Sequence, residues 1–256
     1  MLNDCVSDTV LFDTLAFAIP HEKRRDTKRM LFSDIFESDV TLPAKVCIVA
    51  PGFMGRDFHD RIPEDYCQIA VSKAILSPNV NSNIWVMNTT NHDWYDEANA
   101  RFTGIRIYRD TMLAELASAR AMGPRSSAAL DRDVYQKDCY YFAPLVSEEG
   151  KLSHLESRPI EKEVRGGGSL AGCAIQIAYI LGARSIVLCG VDMSGDQYWD
   201  GKFNVHLNHG DEWQFLPRLQ SLIGTLTCAG VSFSTLSPTK LNVPTFTLQP
   251  NTGAID

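Results

Sequence analysis

The 256-residue sequence lacks the features of several large protein classes. It has no uncharged apolar run that approaches the ~20 residues of a membrane-spanning helix. Its first residues show no basic segment followed by an apolar one, so we expect no secretory signal. The formal net charge of −7 argues against a nucleic-acid surface. These absences together favour a cytoplasmic protein that does not bind nucleic acid.

Paired cysteines and the common nucleotide and hydrolase motifs are also missing. The seven cysteines are scattered without a CxxC pair, which favours reduced, buried thiols over zinc sites or disulfides. There is no Walker A motif, no GxGxxG fingerprint and no GxSxG nucleophile elbow. The sequence therefore does not support a P-loop ATPase, an NAD enzyme with the usual fingerprint, or a serine hydrolase.

What is present is a regular alternation of short apolar runs and helix-length segments. The clearest helix is predicted from Ser169 to about Leu181 with Gly182 as its stop, and a second from about Asp211 to Ala229. This alternation predicts an α/β fold, a Rossmann-like, mainly parallel sheet with helices on both faces. Strands are predicted at 45–50, 66–71, 84–87, 104–108, 140–143, 185–189 and 231–236.

The same pattern predicts how the chain is organised. Residues 1–44 are interpreted as an N-terminal extension or cap, and residues 45–256 as a single nucleotide-binding domain. The stretch within 121–160 is rich in Gly, Pro, Ser and charged residues around one strand candidate. It forms either a small lid over the edge of the sheet or an ordinary surface excursion.

Polar and glycine residues follow several predicted strands where those strands end. In open α/β sheets the ligand crevice lies beyond the carboxyl ends of the strands. Gly52 follows the first strand, Ser72 and Lys73 the second, and Asn88 the third, while 192–198 follows the strand at 185–189. This convergence predicts a ligand site at that edge of the sheet.

The segment 165–169, with the sequence RGGGS, precedes the clearest helix. Its glycines would let backbone N–H groups approach an anion at the helix N-terminus, with Arg165 adding a charged hydrogen bond. Ser169 is a favoured N-cap residue. Two interpretations are open: a phosphate-binding turn, or simply a tight loop capped by serine.

Two further residues are candidates for chemistry. His209 precedes the second predicted helix, close to Asp211, and could act as a general base, as a structural histidine, or with His206 as a metal ligand. Asp192 ends an apolar strand, where a carboxylate could bind a sugar hydroxyl, hold magnesium or cap the next turn. The residues alone leave these roles open.

The stretch 167–192 resembles the core signature shared by three groups of proteins: bacterial CMP-sialic-acid-dependent sialyltransferases, flagellin nonulosonate transferases of the motility accessory factor type, and 6-hydroxymethylpterin pyrophosphokinase-like proteins. The likeness covers roughly residues 45–245 and includes VCIVAPG at 46–52 and STLSPTKL at 234–241.

The sialyltransferase resemblance implies a glycosyltransferase that moves a sialic-acid-like sugar from a CMP-activated donor to a hydroxyl, on a glycan or another acceptor, by direct displacement. It implies no metal and no cofactor, and association with a membrane only through the acceptor. His209 stands at the position of the histidine base. Ser194 replaces a tyrosine and Ser72 an asparagine, and the first loop lacks Gly-Pro-Ser. The substrate-binding residues are then Gly52, Ser72, Asn88, Arg165, Gly167, Gly168, Ser169, Asp192, Ser194 and Tyr198.

The resemblance leaves two other classes of function. A pterin pyrophosphokinase-like enzyme would transfer diphosphate from ATP and would need magnesium, for which Asp192 and Asp93 are candidate ligands. A non-catalytic nucleotide-binding protein would keep the fold and lose the base.

Overall fold

The residues that the structure describes form a seven-stranded sheet in which every pair of neighbouring strands is parallel. The computed structural model describes residues 42–88, 93–109, 139–142, 169–193, 197–202 and 212–247. The strands are β1 (Lys45–Val49), β2 (Cys67–Val71), β3 (Ile84–Met87), β4 (Ile105–Arg109), β5 (Cys139–Phe142), β6 (Ser185–Cys189) and β7 (Ser232–Thr235). The helices are α1 (Tyr95–Arg101), α2 (Leu170–Ile180) and α3 (Glu212–Cys228), with 3₁₀ helices at Phe53–Arg61 and Ser72–Leu76.

The order of strands across the sheet is β5-β4-β3-β2-β1-β6-β7. From β1 the chain builds the sheet outward in one direction through β5. It then returns to the other side of β1 with β6 and continues to β7. The point where the direction reverses therefore lies between β1 and β6, and in folds of this kind ligands bind at the carboxyl ends of such a strand pair.

Both faces of the sheet are covered by helices. On one face Val46 and Ile48 of β1 lie in the same apolar cluster as residues of α2 and α3. On the opposite face Trp85 of β3 packs with Tyr95 and Ala98 of α1. Successive residues of a strand point to opposite faces, so strands buried on both sides are apolar throughout, as the burial of β1 and β3 shows.

The bonds at the end of α2 fix the direction of this helix. The carbonyl of Leu181 accepts from the Leu42 amide at 3.0 Å, and the Ala44 carbonyl accepts from the Arg184 and Ser185 amides, each at 2.8 Å. The C-terminal end of α2 therefore lies beside the start of β1. The N-terminus of α2, at Ser169, lies at the opposite end of the strands, where their carboxyl ends meet.

The predicted α/β architecture is confirmed, and every neighbouring strand pair is parallel, where the sequence predicted a mainly parallel sheet. All seven predicted strands and both predicted helices are present, and each of their ends agrees with the prediction or differs from it by one residue. Gly182 follows α2 with φ +111°, a conformation that suits glycine. The predicted extension at 1–44 lies outside the described residues except for 42–44. Of the segment within 121–160, the structure describes 139–142, which form β5 at the edge of the sheet.

The five described cysteine side chains are free thiols. Cys47, Cys173 and Cys189 are buried as the sequence predicted, but Cys228 is exposed. It is the last residue of α3. Within the described part of the chain, no helix is both long and apolar enough to cross a membrane.

Candidate functional site

The ends of β1 and β6 meet closely at the point where the strand order reverses. The Gly52 amide donates to the Gly190 carbonyl at 3.0 Å. The Asp192 carboxylate accepts from the Met54 amide at 3.1 Å and so caps the first turn of the 3₁₀ helix Phe53–Arg61. The turn that Asp192 caps follows β1, whereas the role considered from the sequence was a cap on the turn that follows Asp192 itself.

Steric crowding requires glycine at position 52. A Cβ atom on this residue would lie 2.3 Å from both Asp192 Oδ1 and the Gly190 carbonyl oxygen. Its amide already bonds to Gly190, so in this conformation Gly52 shapes the floor of the site and does not offer its N–H to a ligand.

Residues 197–202, here called the clasp segment, lie across the end of β1. Tyr198 forms an antiparallel bridge with Gly52, and the Trp199 amide donates to the Pro51 carbonyl at 2.9 Å. The segment is closed on itself by a bond from the Tyr198 amide to the Lys202 carbonyl at 2.8 Å. Tyr198, one of the predicted site residues, is thereby held against Gly52, the residue that also lies close to Asp192.

Burial raises the pKa of the Tyr198 phenol, which is neutral at physiological pH even at its ordinary value. The side chain is only 8% exposed. Desolvation, with smaller contributions from the charges of Asp200 and Asp93, raises the pKa of its phenol to about 12. Tyr198 is therefore a neutral phenol at physiological pH, able to donate a hydrogen bond to an anionic ligand.

Ser72 adopts an unusual backbone conformation where β2 ends. Its φ is +52°, in the left-handed region that asparagine and glycine favour over serine. The indole N–H of the buried Trp85 donates to the Ser72 carbonyl at 2.9 Å and fixes this turn. Asn88 lies one strand further along the same edge, directly after β3. Strain of this kind is concentrated at functional sites.

Ser169 caps α2 as the sequence predicted. Its Oγ accepts from the Gly172 amide at 3.1 Å. The hydroxyl proton is not used in that bond, so Ser169 can still donate to a ligand at the helix N-terminus, where the helix dipole favours an anion.

The structure brings Gly52, Asp192 and Tyr198 into one cluster. It places Ser72, Asn88 and Ser169 on the same edge of the sheet. The remaining predicted site residues, His209, Arg165, Gly167, Gly168 and Ser194, lie outside the described residues.

Sequence reasoning placed Lys73 at this edge without a specific role, and it did not single out Asp200, Trp199 or His59. Lys73 forms an ion pair of 2.7 Å with Asp200, and its side chain is 5% exposed. The position of Lys73 at a strand end and the adjacency of Asp200 to Tyr198 were the available signals. The pairing itself joins residues 127 positions apart, which no local pattern reveals.

His59 is a buried histidine beneath the clasp segment. Its Nδ1 lies 2.8 Å from Ser77 Oγ, and its ring contacts that of Trp199 edge-on with centroids 6.4 Å apart. Nε2 has no hydrogen-bond partner among the described residues. Burial lowers the pKa of His59 below its ordinary value of 6.5, and the nearby Asp60 offsets this only in part.

This lowered pKa predicts a loss of stability in acid. Below pH 6.5 the unfolded chain protonates His59 while the folded chain resists it, so the free energy of unfolding falls as the pH is lowered from there toward the folded pKa. The contribution has a slope of at most about 1.4 kcal/mol per pH unit. Urea unfolding of the wild type and of His59→Asn between pH 7 and pH 5 measures it. The variant should lose less stability over this range, and equal slopes would contradict the prediction.

Among the residues that the structure describes, no group of three or more His, Cys, Asp or Glu side chains is arranged to hold a metal ion. Asp93 is exposed, and Asp192 is engaged by the Met54 amide.

No protein-family model matches the chain, and no curated protein matches it. Several solved structures have a similar backbone trace. The sialyltransferase CstII from Campylobacter jejuni, in complex with the substrate analogue CMP-3FNeuAc, is 12% identical over 82% of this chain and 92% of its own, with a TM-score of 0.44. The monofunctional alpha-2,3-sialyltransferase Cst-I from the same organism is 12% identical over 89% and 90%, with a TM-score of 0.40. At these identities and TM-scores the likeness does not assign an activity to the chain.

Proposed function

We propose that this chain is a glycosyltransferase that moves a sialic-acid-like sugar from a CMP-activated donor to an acceptor hydroxyl. The observation that carries the proposal is the cluster of Gly52, Asp192 and Tyr198 at the reversal of strand order, the position at which α/β sheets bind nucleotides. The resemblance of residues 167–192 to CMP-sialic-acid-dependent transferases supports the choice of donor.

Hydrogen-bond donors would stabilise the departing phosphate. The neutral phenol of Tyr198 and the hydroxyl of Ser169 can both donate to phosphate oxygens. We assign the charge of Arg165 and the amides of Gly167 and Gly168 to the same group. Such donors act in a site from which water is excluded, where each hydrogen bond is worth more than in water.

The remaining predicted residues complete the donor site. Ser72 and Asn88 follow neighbouring strands at the site edge, and we assign them, with Ser194, to contacts with the nucleotide and the sugar. Asp192 holds the loop after β1 in place.

The reaction would be a single displacement at the anomeric carbon. The acceptor oxygen forms a bond to this carbon while the bond from the carbon to the phosphate oxygen breaks, and CMP leaves with the electron pair. His209 takes the proton of the acceptor hydroxyl as the new bond forms. CMP is a good leaving group, so the step requires no metal ion or other cofactor.

We further propose that residues 45–256 form one nucleotide-binding domain, with a lid within 121–160 and an extension at 1–44. The protein would act in the cytoplasm and would approach a membrane only through its acceptor.

A thermal-shift panel of CMP, CDP, UDP, GDP, ATP with and without magnesium, and pterins tests the proposal. A ligand at 100 times its dissociation constant adds about 2.7 kcal/mol to the free energy of unfolding. We expect stabilisation by CMP without magnesium. Stabilisation only by ATP with magnesium, or by none of the ligands, would overturn the proposal.

Two tyrosine variants test whether the stabilisation by CMP arises at the site that contains Tyr198. Tyr198→Phe should weaken the stabilisation by CMP, because it removes the phenol that donates to phosphate. The matched control is Tyr66→Phe, because the Tyr66 hydroxyl lies 3.4 Å from the hydroxyl of Ser185, at the edge of the sheet where the strands begin. The control should respond to CMP as the wild type does.

A further inference from the structure

The ion pair between Lys73 and Asp200, whose side chains are 5% and 20% exposed, is largely buried and has no part in the chemistry proposed above. Lys73 belongs to the 3₁₀ helix that follows β2, and Asp200 belongs to the clasp segment. Burial by itself would raise the pKa of Asp200, but the hydrogen bonds from Lys73 and from the Lys202 amide outweigh it and lower the pKa. Asp200 is therefore ionised at neutral pH, and it bonds to a lysine whose side chain is only 5% exposed.

A buried ion pair is a poor way to add stability, since desolvation of two charges offsets most of their attraction. Such pairs are better suited to fixing one arrangement of the elements that they join. The chain offers a direct contrast in the pair Lys45–Asp65, which is 2.6 Å long but 53% and 58% exposed. Solvent surrounds the Lys45–Asp65 pair, whereas the Lys73 side chain is enclosed by the protein on almost all sides.

The arrangement that the buried pair fixes includes Tyr198. The Lys73 Nζ atom lies 4.9 Å from the centre of the Tyr198 ring, a cation–π contact, while it also bonds to Asp200 at 2.7 Å. The indole N–H of Trp199 donates to the Lys73 carbonyl at 3.4 Å. Lys73 thus contacts three consecutive residues of the clasp segment, Tyr198, Trp199 and Asp200.

We propose that Lys73 is a positioning residue that, through its ion pair with Asp200, holds the clasp segment across the end of β1 and orients Tyr198 toward the ligand. The inference rests on the proposed function for the identity of the ligand. It does not require Lys73 to touch the ligand, because its ammonium group is buried and already bonded to Asp200.

The experiment compares Lys73→Met, Asp200→Asn and the double variant with the wild type. Lys45→Met is the matched control, because it breaks an ion pair of similar length that is exposed. Two measurements are made on each protein: hydrogen exchange of the Trp199 amide, which is bonded to Pro51, and the dissociation constant for CMP. The amide of Ile48 in β1 serves as an internal reference for exchange.

We expect each single variant to raise the exchange rate of the Trp199 amide at least tenfold while the Ile48 amide stays protected. The affinity for CMP should fall about tenfold in each single variant and by about the same factor in the double variant, because both substitutions release the same clasp. Lys45→Met should change neither measurement.

The outcomes separate this inference from the proposed function. Unchanged exchange at Trp199 in all three variants would overturn the positioning role, whatever binds. Recovery of wild-type CMP affinity in the double variant would also overturn it, since the single variants would then suffer only from an unpaired buried charge. A direct ligand role for Lys73 would appear as weaker binding in Lys73→Met alone. If hydrogen exchange of the Trp199 amide rises in the variants but the wild type binds no CMP, the proposed function is wrong while the role of Lys73 in holding the clasp segment is retained.

Discussion

Replacing Gly190 with alanine is expected to lower the free energy of unfolding by about 2–5 kcal/mol. Two effects add at this position. Gly190 has a φ of +71°, where a Cβ atom strains the backbone, and that atom would lie 2.2 Å from the Ala50 carbonyl oxygen. Because the carbonyl belongs to the backbone at the end of β1, it cannot move without disturbing the Ala50–Cys189 hydrogen bond of 2.8 Å.

Two other glycines separate the two effects, and a third is a control that shows neither. Gly201 has a φ of +77° in open space, so Gly201→Ala tests backbone strain alone. Gly52 has a φ of −63° but is crowded, so Gly52→Ala tests the steric clash alone. Gly224 lies inside α3 with nothing near it, and Gly224→Ala should stabilise the protein by about 0.5–1 kcal/mol.

Urea unfolding of the four variants at one pH measures these differences. We expect Gly190→Ala to lose more stability than Gly52→Ala or Gly201→Ala. A Gly190→Ala protein as stable as the wild type would show that the junction of β1 and β6 is not as tight as described.

Replacing His209 with alanine is expected to lower kcat for sugar transfer by about 10²–10⁴, the contribution of a positioned general base. The affinity for CMP should stay within about twofold of the wild type, because a base that acts on the acceptor does not bind the donor phosphate. The measurement is steady-state transfer from a CMP-activated sugar, with CMP binding measured separately.

His206→Ala is the control for this variant, since it removes a histidine three positions earlier in the same segment. It should retain wild-type kcat. In the wild type kcat should rise with pH as the base loses its proton, and this rise should be absent from any residual activity of His209→Ala. An unchanged product yield in His209→Ala would remove this histidine from the mechanism while leaving the nucleotide site to the thermal-shift panel.

The strands were predictable because this sheet is buried on both faces. Strands such as β1 and β3 are therefore continuous apolar runs that end at polar or glycine residues. The same pattern located the candidate site at the carboxyl ends of the strands, since each of four predicted site residues follows a strand: Gly52, Ser72, Asn88 and Asp192. Ser169 was predictable as a cap because the side-chain oxygen of a serine directly before a helix readily accepts from an amide of its first turn.

The sequence did not reveal which of these residues touch. Strand order decides that β1 has β6 as its neighbour, and hence that Gly52 meets Asp192. The burial of Lys73 was also hidden, because lysine at a strand end is ordinarily exposed and its partner Asp200 lies in a distant part of the chain. His59 was missed because a polar loop residue gives no sign that its ring is buried.

The pairing of β1 with β6 also has a consequence for folding during synthesis on the ribosome. Lys45 pairs with Ser185, so more than half of the chain is synthesised between the two partners. Strands β1 to β4 can pair in the order in which they emerge, since each lies beside its predecessor. Until β6 arrives, one side of β1 is an open edge exposed to pairing with other chains. One edge of β1 thus stays unpaired while more than half of the chain is synthesised. The late pairing of β6 with β1 both covers this edge and completes the ligand site.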